Sequence, residues 1–234
     1  VTAAVRHAVV TCEHATNRVP ADLAACFQPH RALLKTHRGY DIGALPVANQ
    51  IAAALAAPLF VGEVSRLVVE LNRSPDSASL FSVATRGLDA AAKGAILDRY
   101  YTPWRDAVLE HIARAPTPTL HISVHSFTPE LDGKKRELEI GLLFDPRRAR
   151  EKSFCERWRR AIIADPDAIG LRVKMNLPYR GTSDGHTTAL RAAFPASRYL
   201  GVELEMNNAL VTGVRGQERV GAMLARTLRS VVDA

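Results

Sequence analysis

Three short apolar runs rich in β-branched residues each end in groups that carry chemistry. Ala8-Val9-Val10-Thr11-Cys12 leads into Glu13-His14, Leu120-His121-Ile122-Ser123-Val124 into His125-Ser126, and Tyr199-Leu200-Gly201-Val202 into Glu203. Runs of this kind read as buried strands of a parallel sheet. A parallel sheet must be covered on both faces, and open α/β sheets keep their sites at the carboxyl ends of the strands. Two imidazoles and a carboxylate are therefore expected to meet at one sheet edge, together with the Asn72-Arg73 pair that closes Val68-Val69-Glu70-Leu71.

The periodicity predicts strands over Ala8–Cys12, Leu59–Val61, Leu67–Leu71, Leu120–Val124, Glu137–Phe144, Val173–Asn176 and Leu200–Met206. It predicts helices over Ala44–Ala57, Ala90–Ala115, Ala149–Ala164, Thr187–Phe194 and Gly216–Val232. Strands alternating with helices imply an α/β class: three α/β/α layers around a mixed, mostly parallel sheet. At 234 residues, with no linker long enough to divide the chain, one domain over residues 1–234 is expected.

Composition excludes several roles. No apolar stretch approaches the ~20 residues of a membrane span. Val1 to His7 lack the pattern of a secretory leader, and Cys12, Cys26 and Cys155 are odd in number and widely spaced. Reduced thiols in a cytoplasmic protein are the expectation, with Cys12 in a packing role. The net charge of +7 is concentrated around Arg147–Lys152 and Arg157–Arg160. This reads as a solvated face, or as a field that draws in anions. A nucleic-acid-binding role is disfavoured, because only 6% of residues are aromatic and no recognition motif is present.

Each candidate residue has a structural alternative. His14 is a natural zinc ligand or caps the following turn. His125 has the same setting. His121 lies on its face of the strand but ~13 Å away, too far to share a small ion, and is left to packing. Glu203, at the end of a buried run, is a candidate general base toward water acidified by a metal, with Glu205 as its competitor. Arg73 offers a bidentate fork for a carboxylate or pairs with Glu70 or Asp76. Asn72 polarises a carbonyl or caps a turn. Asp41 is a third metal ligand or the N-cap of the helix that follows.

Five stretches carry a resemblance through most of the chain: residues 12–20 (CEHATNRVP), 40–44 (YDIGA), Ser65-Arg66-Leu67 with Asn72-Arg73, 125–129 (HSFTP) and 176–179 (NLPY). In their order and spacing the chain resembles the N-formylglutamate amidohydrolase family. More distantly it is similar to zinc carboxypeptidases and aspartoacylase. That resemblance implies a zinc-carboxypeptidase-like fold and a bound zinc or other divalent ion. It implies His14 and His125 as ligands, Asn72, Arg73 and Glu203 in the chemistry, and Asn17, Arg73, Ser126 and Tyr179 in substrate binding. The distant group carries an acidic ligand three residues after its first histidine, where this chain has Asn17. Asn is a poor zinc ligand. Either Asp41 supplies the missing oxygen, the favoured reading, or the site holds metal weakly. Glu13 is a competitor for that place, but its side chain should point away from His14 in a strand.

The implied activity is metal-dependent hydrolysis of a small, carboxylate-bearing N-acyl amino acid such as N-formyl-L-glutamate. A carboxypeptidase or amidase acting on a peptide or cell-wall fragment uses the same groups, with pocket size as the discriminator. A degenerate hydrolase retained as a ligand-binding domain is the third reading.

Overall fold

The computed structural model describes residues 7–233, so most of the Val1–His7 stretch read for a leader lies outside the described residues. The strands are β1 (His7–Cys12), β2 (Leu59–Val61), β3 (Thr119–Phe127), β4 (Glu130–Leu131), β5 (Lys134–Lys135), β6 (Ile140–Leu143), β7 (Val173–Met175) and β8 (Tyr199–Asn207). The helices are α1 (Arg31–Leu34), α2 (Ala44–Leu55), α3 (Ala90–Ile96), α4 (Thr102–Arg114), α5 (Ala149–Ala164), α6 (His186–Ala193) and α7 (Val214–Val232). Six strands form one mixed, mostly parallel sheet in the order β2-β1-β3-β8-β6-β7, and β4 and β5 form a separate small hairpin. Strands β2, β1, β3 and β8 run parallel; β6 is antiparallel to β8 and parallel to β7.

Side chains alternate across the sheet with period two, and the two faces differ in kind. Val10, Leu120, Ile122, Val124, Leu200, Val202, Leu204 and Met206 pack in one apolar layer with α2, α5 and α7. Trp158 of α5 is fully buried there and donates its indole N–H to Thr227 of α7 at 3.2 Å. Each such large side chain withdrawn from water contributes roughly 1.5–3 kcal/mol. The opposite face, under α4 and α6, holds a smaller apolar cluster of Val9, Val108, Ile112, Leu190 and Tyr199. Between that cluster and the carboxyl ends of the strands, the alternate positions are polar and buried: Thr11, His121, Ser123, His125, Glu203 and Glu205.

Several sequence expectations change. Leu67–Leu71 is not a strand. Val68 and Val69 are fully buried, but in a separate cluster with Phe27, Leu80, Ile96 and Tyr101, so this apolar run is a buried loop. Glu137–Phe144 shrinks to the four residues of β6. The single helix expected over Ala90–Ala115 is divided by a π turn at Leu97–Tyr101. Pro103 lacks the N–H that would bond the carbonyl one turn earlier, so the helix widens before α4 begins. That widened turn is used: Tyr101 Oη donates to the Arg73 carbonyl at 2.7 Å, and Arg105 of α4 donates to the Leu71 carbonyl at 2.9 Å. Among the described residues no helix is long and apolar enough to cross a membrane.

His121 shows how the polar face is satisfied. Its Nε2 meets Thr11 Oγ1 at 2.8 Å and its Nδ1 meets Tyr199 Oη at 2.6 Å. Burial pushes its pKa down to about 4, against the pull of Glu13. The unfolded chain therefore binds a proton on this ring between pH 6.5 and 4 that the folded chain refuses. Stability is full above the unfolded pKa and is lost as pH falls through that window. Urea midpoints should fall from pH 6.5 to 4, and the fall should be shallower in His121→Asn; an unchanged slope would show that His121 does not carry this dependence.

Candidate active site

Asp41 binds the site together. Its Oδ2 receives His125 Nδ1 at 2.9 Å, His14 Nδ1 at 3.2 Å and the Ser126 backbone N–H at 3.2 Å. Its Oδ1 accepts from Arg66 at 3.2 Å. Four distant pieces of chain meet here: the turn after β1, the turn before α2, the loop after β2 that carries Arg66, and β3. Asp41 does not cap α2, whose N-cap is Gly43 with no side-chain hydrogen bond. The two imidazole rings lie 4.9 Å apart, and one ligand atom from each of His14, Asp41 and His125 falls within 4.8 Å of the others, all buried. Two imidazoles and one carboxylate form a donor set suited to zinc, and three protein ligands leave a position open for substrate. The residues present therefore fit the metal expected from sequence.

A second ring of groups orients the first. His125 Nε2 meets Ser123 Oγ at 2.9 Å and lies 3.4 Å from Glu13 Oε2, while Ser123 Oγ donates to Glu13 at 2.9 Å. His14 Nε2 bonds Glu70, which also takes Arg66 Nε at 2.8 Å. Burial alone would raise the Asp41 carboxyl, but His14, His125 and Arg66 hold it well below the usual range. Burial alone would lower His125; its bond to Asp41 and the charge of Glu13 push it instead up to about 10. The pocket is thus built to hold positive charge between buried carboxylates.

His125 and Glu203 were expected at strand ends. Both lie within nine-residue strands, because β3 and β8 pair along their whole length, with Ser123 opposite Glu203 and His125 opposite Glu205. Glu203 accepts a hydrogen bond from Thr187 of α6. Glu205 differs: its Oε2 is buried without a hydrogen-bond partner. Burial raises its pKa to about 8, with His125 opposing and Asp41 and Glu203 adding to the rise.

These groups line a cavity of about 180 Å³, shared with Arg66, Asn72, Arg73, Ser126, Tyr179 and Arg180. Asn72 lines the cavity; its Oδ1 accepts the His186 N–H at 2.6 Å, pinning the start of α6, and its Nδ2 lies 3.5 Å from His125 Nε2. Arg73 pairs with neither Glu70 nor Asp76; its Nη1 donates to the carbonyls of Asn72 and Asp184 at 2.6 and 3.1 Å. Ser126 Oγ donates to the Ile42 carbonyl at 2.8 Å. Asn17 is not brought to the cavity: it is exposed and donates to the Leu34 carbonyl at 3.0 Å.

Comparisons with known proteins give the family and the fold. The family model for N-formylglutamate amidohydrolase matches residues 6–212. The chain belongs to the N-formylglutamate amidohydrolase family. It is an amide-bond hydrolase. Gene product Atu2144 from Agrobacterium tumefaciens is similar in structure, with TM-score 0.80 and 30% identity over 99% of this chain and 92% of that one. The N-formylglutamate amidohydrolase of Ralstonia eutropha JMP134 shares the fold, with TM-score 0.70 and 17% identity over 99% of this chain and 95% of that one. No curated protein matches the sequence.

Three residues of this amidohydrolase-family site escaped the sequence reading: Glu70 and Arg66 as the partners of His14 and Asp41, and Arg180 at the mouth. Glu70 carried a usable signal. A carboxylate inside the apolar run Val68-Val69-Glu70-Leu71, four residues after an arginine, needs a buried partner, by the argument applied to Glu203.

Asp41→Ala removes the partner of two buried imidazoles and of Arg66. Breaking a buried pair from one side should destabilise the protein by roughly 3–5 kcal/mol. Urea unfolding measures this, and a loss below about 1 kcal/mol, the scale of an exposed pair, would show that Asp41 does not hold the cluster together.

Proposed function

We propose that the chain is a metal-dependent amidohydrolase that removes the acyl group from a small N-acyl amino acid, with N-formyl-L-glutamate as the first substrate to test. The observation that carries this reading is the convergence of His14, Asp41 and His125 within 4.8 Å in a cavity that also presents Glu205, Arg73 and Arg180. A cavity of about 180 Å³ is small beside the ~300–1,000 Å³ of sites for drug-sized ligands, which favours an amino-acid derivative in the site itself. The free thiols Cys12, Cys26 and Cys155 suit a cytoplasmic setting.

His14, Asp41 and His125 would hold zinc or a similar divalent ion. When bound, such an ion supplies Lewis-acid polarisation of an acyl carbonyl and acidifies water. The chain's own groups do the rest. Arg73 and Arg180 at the mouth bind the substrate carboxylate, and Arg73, already held by two carbonyls, loses little freedom on doing so. Glu205, which lines the cavity and has a buried oxygen without a hydrogen-bond partner, takes a proton from the attacking water and returns it to the departing amine nitrogen. The sequence reading gave this role to Glu203, but its hydrogen bond from Thr187 suits it better to fixing α6 against β8.

Purified protein should contain close to one zinc per chain, and His14→Ala/His125→Ala should lose both the metal and amine release from N-formyl-L-glutamate. Full activity of that double variant after chelator treatment would sink the metal reading. Glu205→Gln should keep the metal and lower kcat by ~10²-fold or more, the usual scale for a positioned acid/base, while Glu203→Gln should be milder. The reverse order would return the role to Glu203. Arg73→Lys keeps the charge but loses the fork; kcat/KM should fall with metal content unchanged. An unaltered kcat/KM would confine Arg73 to bracing its loop.

A further inference from the structure

The space around the site does not end at Tyr179. This ring lines the small cavity and also a second, wider groove of about 690 Å³. One wall of the groove is the β4–β5 hairpin and the stretch after it; the other runs from Arg172 to Tyr179. The second wall is held close to the sheet: a Cβ on Gly141 of β6 would lie 2.0 Å from the Leu177 carbonyl oxygen, so only glycine admits this approach. Arg136 braces Tyr179 from the groove side, its guanidinium 5.0 Å from the Tyr179 ring centre and 5.5 Å from that of Phe127.

The charge of the groove is one-sided. Lys134, Lys135, Arg136 and Lys174 line it, and among the described residues none of the four makes an ion pair. Arg172 is spent on Glu139, at 3.0 Å, and on Glu137. Asp132 is the one further acid in the lining. On an ordinary solvated face cations and acids are interspersed. Here unpaired cations line a concavity that meets the smaller cavity at Tyr179, and such a concavity concentrates anions.

We propose that this groove is an extension of the substrate site, which receives the anionic remainder of an N-acylated acidic peptide. The inference rests on the amidohydrolase reading of the adjoining cavity. The acylated amino acid occupies the cavity, and the carboxylates that follow it along the chain lie beside Lys134, Lys135 and Lys174. An extended peptide advances ~3.3–3.6 Å per residue, so two further residues reach ~7 Å past the first. The reaction is unchanged: the oxygen of water bonds to the acyl carbon, the carbon–nitrogen bond breaks, one water proton passes to the departing nitrogen and the other leaves with the carboxylic acid formed. No other reactant is needed.

The test compares N-formyl-L-glutamate with N-formyl-tri-L-glutamate at low salt. The longer substrate should show a kcat/KM at least about tenfold higher, an advantage that shrinks in 0.5 M salt as screening shortens the reach of the lysines. Lys134→Ser/Lys135→Ser/Lys174→Ser, all exposed positions, should bring the ratio close to one and leave the rate with N-formyl-L-glutamate unchanged. Equal kcat/KM in the wild type, or an advantage that survives the triple variant, overturns the proposal. If neither compound is hydrolysed, the amidohydrolase reading fails separately. Calorimetry with unformylated tri-L-glutamate then decides the groove: binding by the wild type that is lost in the triple variant supports it. Absent or unchanged binding, or preference for a short single-stranded RNA, overturns it.

Discussion

Everything at this site depends on one carboxylate oxygen buried where it could not remain charged alone. Asp41 Oδ2 takes three donors, from His14, His125 and the Ser126 backbone, while Oδ1 takes Arg66. Desolvation of an unpaired carboxylate would cost several kcal/mol, so the fold must deliver these donors together or forgo burying Asp41. Delivering them draws the turn after β1, the turn before α2, the loop that carries Arg66 and the body of β3 to one point. The same demand explains why the two imidazoles lie close enough to share an ion.

The sheet makes this possible by dividing its duties between faces. Leu120, Ile122 and Val124 enter the apolar layer, while His121, Ser123 and His125 between them enter the polar one, although every residue of β3 is buried. β8 repeats the division with Leu200, Val202 and Leu204 against Glu203 and Glu205. Stability comes mainly from one face and chemistry from the other. The polar face is close to self-satisfied: Thr11, Glu13, Ser123, His121 and Tyr199 bond one another in a continuous chain that ends at His125. Within such a layer an unpartnered polar atom stands out, and among the described residues lining the cavity these atoms are Glu205 Oε2 and His37 Nδ1, of which only the first is a carboxylate oxygen.

This division also decides how much of the site could be read from residues alone. The runs before Glu13-His14, His125 and Glu203 did mark strands β1, β3 and β8, and their mostly parallel arrangement followed from the helices between them. β3 runs past the expected Val124 to Phe127, whereas β8 runs only one residue past the expected Met206, to Asn207. His125 does not stop its strand, since β8 continues the ladder beside it through Asn207. Leu67–Leu71 has the composition of a strand but its hydrogen bonds go elsewhere: the Glu70 N–H reaches the Leu80 carbonyl, and Val68 and Val69 are buried against Phe27 and Leu80. No local pattern distinguishes a buried loop from a buried strand, because both need only to be apolar. Asn17 sits three residues after His14 in a motif, yet its side chain satisfies a carbonyl at the end of α1, a long-range contact that no spacing rule encodes.

The loop from Glu70 to Arg73 couples the parts that remain. Its backbone is clamped by Tyr101 from the π turn and by Arg105 from α4, so the irregularity of that helix is transmitted to the site. Asn72, fixed by this clamp, bonds the first N–H of α6. The position of α6 in turn sets Thr187, which occupies Glu203, and Arg191, which pairs with buried Glu151 and bonds the Gly201 carbonyl. A displacement of Asn72 would therefore shift Thr187 and remove the hydrogen bond that fixes Glu203, which lines the same cavity as Glu205. Asn72 thus lines the cavity beside His125 and, through α6, also holds in place the hydrogen bond that sets Glu203 apart from the unpartnered Glu205.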